Sequence, residues 1–344
     1  MNNTGAAALL DVRAVSKRFP VRGTAHELHA VDDVSFTIAP GESVGLVGES
    51  GCGKSTLVKL IARLLDPTSG RIAFEGADIG AVPSARFARA PARARIQMVF
   101  QDPADSLNPR FTAFDSIADP IRRLGRAGAR GALRRRVEEV AELVGLPQAL
   151  LGRYPHQLSG GQQQRVGIGR AVGLSPSLLI LDEPTSALDV SVQAVILRLL
   201  ADLRSRLGMA YLFVSHDLNV VRMVTERVFV MYLGKIVESG PADALFDRPA
   251  HPYTRMLFAS IPGSRQIGTP TGIQIGTQVE TPSGRGEARE PASPMEPRSP
   301  INPSPHICRF FGRCPDGFDR CEHEMPALTP LAVDHEVACH APCR

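Results

Sequence analysis

The stretch Gly48-Glu49-Ser50-Gly51-Cys52-Gly53-Lys54-Ser55 fits the phosphate-binding pattern G-x-x-x-x-G-K-[ST] at every fixed position. The residues just before it, Ser43 to Val47, are apolar enough for a buried strand. The residues after it, Thr56 to Leu65, space their apolar side chains as a helix does. The motif therefore lies between a predicted strand and a predicted helix, a context that a chance glycine-rich turn would not share.

This loop is predicted to bind the phosphates of a nucleotide. Its glycines let backbone N–H groups surround phosphate oxygens, and the following helix adds the positive end of its dipole. Lys54 is expected to reach the β- and γ-phosphates, and the Ser55 hydroxyl is expected to bind Mg²⁺. The predicted binding residues of the loop are Gly48, Glu49, Ser50, Gly51, Cys52, Gly53, Lys54, Ser55 and Thr56.

Composition narrows the function classes. The chain has 344 residues, which suggests about two domains, and 43% of them are hydrophobic. Trp is absent and aromatic residues make up only 5%, which disfavours aromatic stacking on nucleic acid. The net charge of +4 permits contact with anionic surfaces without requiring it. No apolar run approaches the length of a membrane span and the start lacks a basic signal region, so we expect a cytosolic protein that leaves any membrane crossing to other chains.

Two predicted strands precede the phosphate loop, around Leu9 to Val15 and Val31 to Ile38. Such strands are typical of an antiparallel flap on a nucleotide-binding domain. Phe19 lies between them and has two interpretations. It either packs in a core or offers a platform on which adenine stacks.

A helical insertion is predicted after the next buried strand. That strand, Ile96 to Phe100, ends at Gln101, and Pro103 then interrupts regular structure. Gln101 should therefore face whatever lies beyond the sheet. Ser116 to Leu151 has a helical pattern with opposite charges at helical spacing, as an exposed helix does. We predict a helical subdomain over about 102–165, inserted into an α/β core.

Three further stretches carry candidate chemistry. Ser159, Gly160, Gly161 and Gln162 open a predicted helix and form a second anion-binding helix start. A short buried strand then ends in Asp182 and Glu183, at the end of a strand where an open α/β sheet binds ligands. Asp182 suits a Mg²⁺ ligand and Glu183 suits a general base for water. His216 ends a later strand, where a histidine is a better functional candidate than elsewhere.

The fold class predicted from these elements is α/β: a P-loop NTPase core with an antiparallel β flap and an inserted helical subdomain. The ATP-binding domain is predicted over 1–263. Residues 264–305 are rich in Pro, Gly, Ser, Thr and Glu and are predicted to be a flexible linker. Residues 306–344 form a small cysteine-containing extension with too few apolar residues for a core of its own.

In combination, the motifs resemble those of the ATP-binding subunits of ABC transporters over about Leu9 to Pro262. The resemblance implies ATP and Mg²⁺ as cofactors, with Ser55, Gln101 and Asp182 on the metal and Phe19 stacked on adenine. It implies Glu183, His216 and Gln101 as the catalytic residues. It also assigns Walker A to 48–55, the Q-loop to Gln101, the signature to 158–162, Walker B to 178–183, the D-loop to 186–189 and the switch histidine to His216.

Three stretches resemble the dipeptide and oligopeptide importers more closely: 48–53, 99–110 with its two Asx-Pro pairs, and His251-Pro252-Tyr253-Thr254. Nickel importers share much of this pattern. The resemblance implies a head-to-tail pair of ATP-binding subunits, identical or paralogous, with ATP between Walker A of one and the signature of the other. It also implies two transmembrane permease subunits, a solute-binding protein, no nucleic acid, and a peripheral place on the cytoplasmic face of the inner membrane.

Two other functions fit the sequence less well. Soluble ABC-type ATPases that act on nucleic acid usually carry two cassettes or a long insertion, whereas this sequence shows one cassette without sustained heptads. A kinase-like phosphotransferase would leave the stretch Leu158 to Gln162 without a role. Transport is therefore the predicted function.

Five of the six cysteines follow residue 300, and a disulfide framework is not expected in the cytosol. Cys308, Cys314, Cys321 and Cys339 have the spacing C-x5-C-x6-C-x17-C, which matches neither the ferredoxin runs nor the common zinc pairs. The spacing leaves open an iron–sulfur site, a zinc site completed by His323 and His340, and unligated thiols; Cys343 could replace Cys339. The resemblance favours a [4Fe–4S] cluster, because some peptide importers hold one with this set of cysteines.

Overall fold

The computed structural model describes residues 8–125, 130–260 and 299–343. Its strands, in chain order, are Leu10–Pro20 (β1), Glu27–Ile38 (β2), Ser43–Val47 (β3), Ser69–Phe74 (β4), Ala77–Asp78 (β5), Ile96–Val99 (β6), Leu178–Asp182 (β7), Ala210–Val214 (β8), Arg227–Tyr232 (β9), Lys235–Pro241 (β10), Thr329–Ala332 (β11) and His335–Val337 (β12). Its helices are Lys54–Ile61 (α1), Ser84–Phe87 (α2), Ala92–Arg95 (α3), Pro103–Ser106 (α4), Ala113–Leu124 (α5), Arg130–Leu143 (α6), Gly160–Val172 (α7), Val190–Leu207 (α8), Leu218–Val224 (α9), Ala242–Asp247 (α10), Pro252–Ala259 (α11) and Asp319–His323 (α12).

The main sheet has eight strands in the order β11-β12-β10-β9-β3-β8-β7-β6. The five from β9 to β6 are parallel, and every residue of β3, β7 and β8 is buried. Short continuous apolar runs are what a parallel sheet covered on both faces requires. The predicted α/β core is confirmed, with the phosphate loop joining β3, a central strand, to α1.

The flap is a second, antiparallel sheet with the order β2-β1-β4-β5. β1 runs on to Pro20, so Phe19 lies within a strand and pairs with Leu28 of β2. The predicted flap is confirmed, although its first two strands are longer than their sequence patterns indicated. Cross-strand pairing stabilises the extra residues, and a single strand's own pattern does not report that pairing.

Helices α5, α6 and α7 form the helical region and share a buried core that includes Ile117, Val140 and Ile168. The helical pattern predicted over 116–151 is divided, because α6 ends at Leu143 and Gly145 follows with φ of 65°. A left-handed residue ends a helix there. Helix α5 ends at Leu124, with Gly125 as its C-cap, and residues 126–129 lie outside the described residues.

The cysteine-containing extension joins the main sheet. β12 pairs with β10, and Phe310 is buried in the same core as Tyr232 and Tyr253. Most of the linker predicted over 264–305 lies outside the described residues, but Ile301 is within them and pairs with Leu28 of the flap. The extension therefore obtains its apolar packing from the core of the ATP-binding domain.

Candidate nucleotide site

The phosphate loop adopts a conformation that glycine permits at two positions. Gly48 has φ of 152°, and a Cβ there would lie 2.2 Å from the carbonyl oxygen of Met231. Gly53 has φ of 111°, and its Cβ would lie 2.1 Å from the carbonyl oxygen of Ala30. Strands β9 and β2 thus lie in close contact with the loop. A side chain at either glycine would clash with their carbonyl oxygens and displace the loop.

Lys54 brings the positive charge of the site. Its side chain is buried, and its ammonium donates to the carbonyl oxygens of Gly48 at 2.7 Å and Glu49 at 2.9 Å. Helix α1 starts at Lys54, and its N-cap residue Gly53 provides no side-chain acceptor. The N–H groups of the first turn are therefore not occupied by a capping side chain, as a site for anions requires.

Glu183 stands at the end of β7 with the strained φ of 47°. Its N–H donates to the carbonyl oxygen of Val214 at 2.9 Å, which fixes the backbone to the sheet. Its Oε2 accepts a hydrogen bond from Gln101 Nε2 at 3.0 Å and lies 3.1 Å from His216 Nδ1. The structure thus brings Gln101 and His216 to one carboxylate oxygen of Glu183, so the three predicted catalytic residues lie together.

Asp182 is buried beside Glu183, with only 7% of its surface exposed. Burial raises the pKa of its carboxyl, and the neighbouring Glu183 raises it further, while Lys59 and Lys54 oppose the shift. The predicted metal ligands Ser55, Gln101 and Asp182 offer hydroxyl, amide and carboxylate oxygens. Such hard oxygen donors fit Mg²⁺.

The phosphate loop, Gln101, Glu183 and His216 line one open pocket whose far side is formed by the flap. Phe19 lines this pocket, and Lys17 Nζ lies 5.1 Å from the centre of its ring. Five lining residues were not predicted: Leu28, His29, Ala30, Gly234 and Pro300. Nothing local in the flap sequence marks the first three. Gly234 lies in the turn between β9 and β10, and Pro300 belongs to the segment that composition assigned to a linker.

The residues at the start of α7 lie elsewhere in the chain and do not line this pocket. Ser159 caps the helix: its hydroxyl accepts from Gln162 N at 3.4 Å, and its N–H donates to Gln162 Oε1 at 2.9 Å. Ser159 and Gly160 are exposed. Farther along α7, the buried Gln164 donates to the carbonyl oxygen of Pro184 at 2.7 Å, which ties the helix to the loop after Glu183.

The four cysteines Cys308, Cys314, Cys321 and Cys339 line a second, small cavity together with Phe310, Phe318 and His340. Burial raises the pKa of Cys314 to about 12 and that of Cys339 to about 11. Within 8–125, 130–260 and 299–343, no three His, Cys, Asp or Glu side chains are placed to hold a single metal ion.

The histidines proposed to complete a zinc site make other contacts. His323 Nε2 is 3.6 Å from Asp319, and His340 Nε2 is 2.9 Å from the carbonyl oxygen of Glu324. Cys343, the proposed substitute for Cys339, donates its N–H to Ala250. The structure thus offers no support for the zinc hypothesis.

Comparison with known families gives two matches along the chain. The model for ABC transporters matches residues 31–186, and the model for the C-terminal region of oligopeptide and dipeptide transporters matches residues 237–321. None of the helices in the described part of the chain is long and apolar enough to cross a membrane.

Individual relatives agree with these matches. A probable peptide ABC transporter ATP-binding protein of Sinorhizobium fredii is 46% identical over 338 residues, covering 97% of this chain and 90% of the relative. The oligopeptide transport ATP-binding protein of Bacillus subtilis is 42% identical over 345 residues, covering 99% of both. A solved ATP-binding cassette, a dimer in a post-hydrolysis state with ADP and phosphate, superposes with a TM-score of 0.62 at 30% identity, covering 68% of this chain and 98% of that one.

Proposed function

This chain belongs to the ATP-binding subunits of ABC transporters, and we propose that it hydrolyses ATP to import dipeptides or oligopeptides through separate membrane subunits. The proposal that the chain hydrolyses ATP rests on the pocket itself. The Lys54 ammonium and the start of α1 line the same pocket as the Glu183 carboxylate, which Gln101 and His216 contact. A phosphate chain bound in this pocket would meet both a positive charge and a base.

Glu183, Gln101 and His216 have distinct parts in the proposed hydrolysis. Glu183 accepts the proton of the attacking water. Gln101 and His216 hold its carboxylate toward the phosphate loop, and the locked backbone at Glu183 limits its movement. Ser55, Gln101 and Asp182 would hold Mg²⁺, which when bound neutralises charge on the phosphates.

A second ATP-binding subunit, identical or paralogous, would complete the site. The exposed start of α7, with Ser159, Gly160, Gly161 and Gln162, does not line the pocket of its own chain. One phosphate chain can use both anion-binding helix starts if they come from different subunits.

Two permease subunits would dock near the segment 102–110, which continues from Gln101. Asn108, Pro109 and Arg110 in this segment are exposed. A contact made here can respond to the phosphates because Gln101 touches Glu183 directly. The chain would then lie on the cytoplasmic face of the membrane and receive solute from a binding protein on the other side.

The substrate class is tested by reconstituting the chain with its permease subunits and partner ATPase in proteoliposomes. We expect ATP hydrolysis to rise when the binding protein is loaded with dipeptides or oligopeptides. Stimulation by nickel alone would replace the peptide assignment with the nickel importer alternative. Stimulation by nucleic acid, without permease subunits, would overturn transport altogether.

We further propose that the cysteine cavity holds a [4Fe–4S] cluster through Cys308, Cys314, Cys321 and Cys339. The four residues line one cavity with largely apolar walls, and a [4Fe–4S] cluster is held by four Cys thiolates. When bound, the cluster would cross-link the separate segments of the extension. Protein purified without oxygen should be brown and contain iron, and Cys314→Ser should remove the colour. Colourless anaerobic protein without iron would refute the cluster.

A further inference from the structure

The cysteine-containing extension makes a direct ionic contact with the phosphate loop. Arg313, beside Cys314, donates from Nη1 and Nη2 to the two carboxylate oxygens of Glu49, each at 2.9 Å. Its Nη1 also donates to the Tyr232 hydroxyl at 3.2 Å. Two parallel hydrogen bonds between a guanidinium and a carboxylate fix orientation as well as distance. The extension therefore restrains a residue inside the Walker A motif.

Glu49 is held on its other polar groups as well. Its N–H donates to the Tyr253 hydroxyl at 2.8 Å, and its carbonyl oxygen accepts from Lys54 Nζ at 2.9 Å. Tyr253 is completely buried and belongs to the stretch His251-Pro252-Tyr253-Thr254, whose role the sequence did not explain. The Cys52 N–H also donates to the Glu49 carbonyl oxygen, at 3.3 Å. Every hydrogen-bonding group of Glu49 thus has a partner, and two of its four partner residues come from beyond residue 250.

An aromatic cluster connects Arg313 and Tyr253, the two anchors of Glu49. The ring of Phe310 lies 5.3 Å from that of Tyr232 and 5.6 Å from that of Tyr253, and the Arg313 guanidinium lies 5.8 Å from Phe310. The segment just before the extension reaches the flap side of the pocket, where the carbonyl oxygen of Pro300 accepts a hydrogen bond from His29 N at 2.9 Å. The chain from residue 300 onward therefore contacts the nucleotide pocket at the phosphate loop and at the flap.

We propose that Arg313 and Tyr253 are positioning residues of the nucleotide site, which hold the phosphate loop through Glu49 in the conformation that binds phosphates. This inference rests on the proposed ATPase function. A loop with three glycines at positive φ has little stiffness of its own, and anchoring it in advance lowers the cost of ordering it when nucleotide binds. The anchors support binding more than the chemical step, because neither touches Glu183, Gln101 or His216.

The test uses the full chain with Arg313→Gln and Tyr253→Phe, measured by titration with fluorescent ATP and ADP analogues and by ATPase kinetics. We expect KM and both nucleotide Kd values to rise by roughly 3- to 10-fold while kcat stays within about 2-fold, the pattern of lost ground-state binding. The matched control is Arg320→Gln. Arg320 lies in the same extension and pairs in the same two-bond manner with Glu324, at 2.8 Å for both bonds, away from the loop.

A double variant separates positioning from general destabilisation. If Arg313 acts through Glu49, adding Glu49→Gln to Arg313→Gln should weaken nucleotide binding no further than the stronger single variant. Nucleotide Kd values equal to wild type in Arg313→Gln, or equally weakened in Arg320→Gln, would overturn the inference. Fully additive losses would overturn it too. If the wild-type protein binds no ATP, the proposed function is refuted, and this inference falls with it.

Discussion

Replacing Glu183 with Gln tests the hydrolytic centre most directly. The substitution keeps the side chain's shape, and the Gln carbonyl oxygen can still accept the hydrogen bond that Gln101 Nε2 now donates at 3.0 Å. It removes only the basic carboxylate. Lys54 and the start of α1 are untouched, so affinity for ATP should stay within a few-fold of wild type.

The expected loss follows from the role of the carboxylate. Removal of a positioned general base typically lowers a rate by about 10²–10⁴-fold, which corresponds to about 3–5 kcal/mol in the activation barrier. A total loss is not expected, because the phosphate loop still binds and orients ATP. An ATP-bound pair of subunits should therefore accumulate.

The measurement is single-turnover ATP hydrolysis, together with size-exclusion chromatography in Mg²⁺-ATP. Glu139→Gln is the matched control, since Glu139 is an exposed residue of α6 that pairs with Arg136 at 3.4 Å, and its rate should equal that of wild type. A Glu183→Gln rate within 10-fold of wild type would show that another group deprotonates the water. Loss of ATP binding in this variant would show instead that the carboxylate is needed to build the pocket.

Four other variants test other parts of the molecule. Lys54→Ala should weaken ATP binding to the monomer, whereas Ser159→Arg should leave it intact and block the ATP-driven dimer; equal loss of monomer binding in both would refute the cross-subunit site. Burial lowers the pKa of His251 to about 4 from 6.5, so the unfolded chain binds a proton that the folded chain excludes. The free energy of unfolding should therefore fall as pH drops from 6.5 towards 4, by at most about 3 kcal/mol, and urea titrations of His251→Gln should lack that slope. Cysteine cross-links from Asn108→Cys to a permease loop should change between ATP and ADP states, and an active transporter that forms none would contradict docking at 102–110.

The chemistry of single stretches was accessible from the sequence, because each depends on neighbouring residues. The phosphate loop was recognisable from its glycines and Lys54. Asp182 and Glu183 were recognisable because they end a short apolar run. Both patterns indicate a buried strand followed by a loop. The same holds for the core sheet, whose buried strands are short apolar runs. The helical pattern over 116–151 contains two helices, α5 and α6, and the pattern did not show that the second ends at Leu143, before Gly145 with its left-handed φ of 65°.

The tertiary structure alone decided which residues meet. Gln101 and Glu183 are 82 residues apart and share a hydrogen bond because parallel strands end at one edge of the sheet. Arg313 and Glu49 are 264 residues apart, and they lie together because Phe310, close to Arg313 in the chain, packs in the core against Tyr232 and Tyr253. Strand pairing and side-chain packing at such separations depend on the whole core, so no local pattern in the sequence reports them.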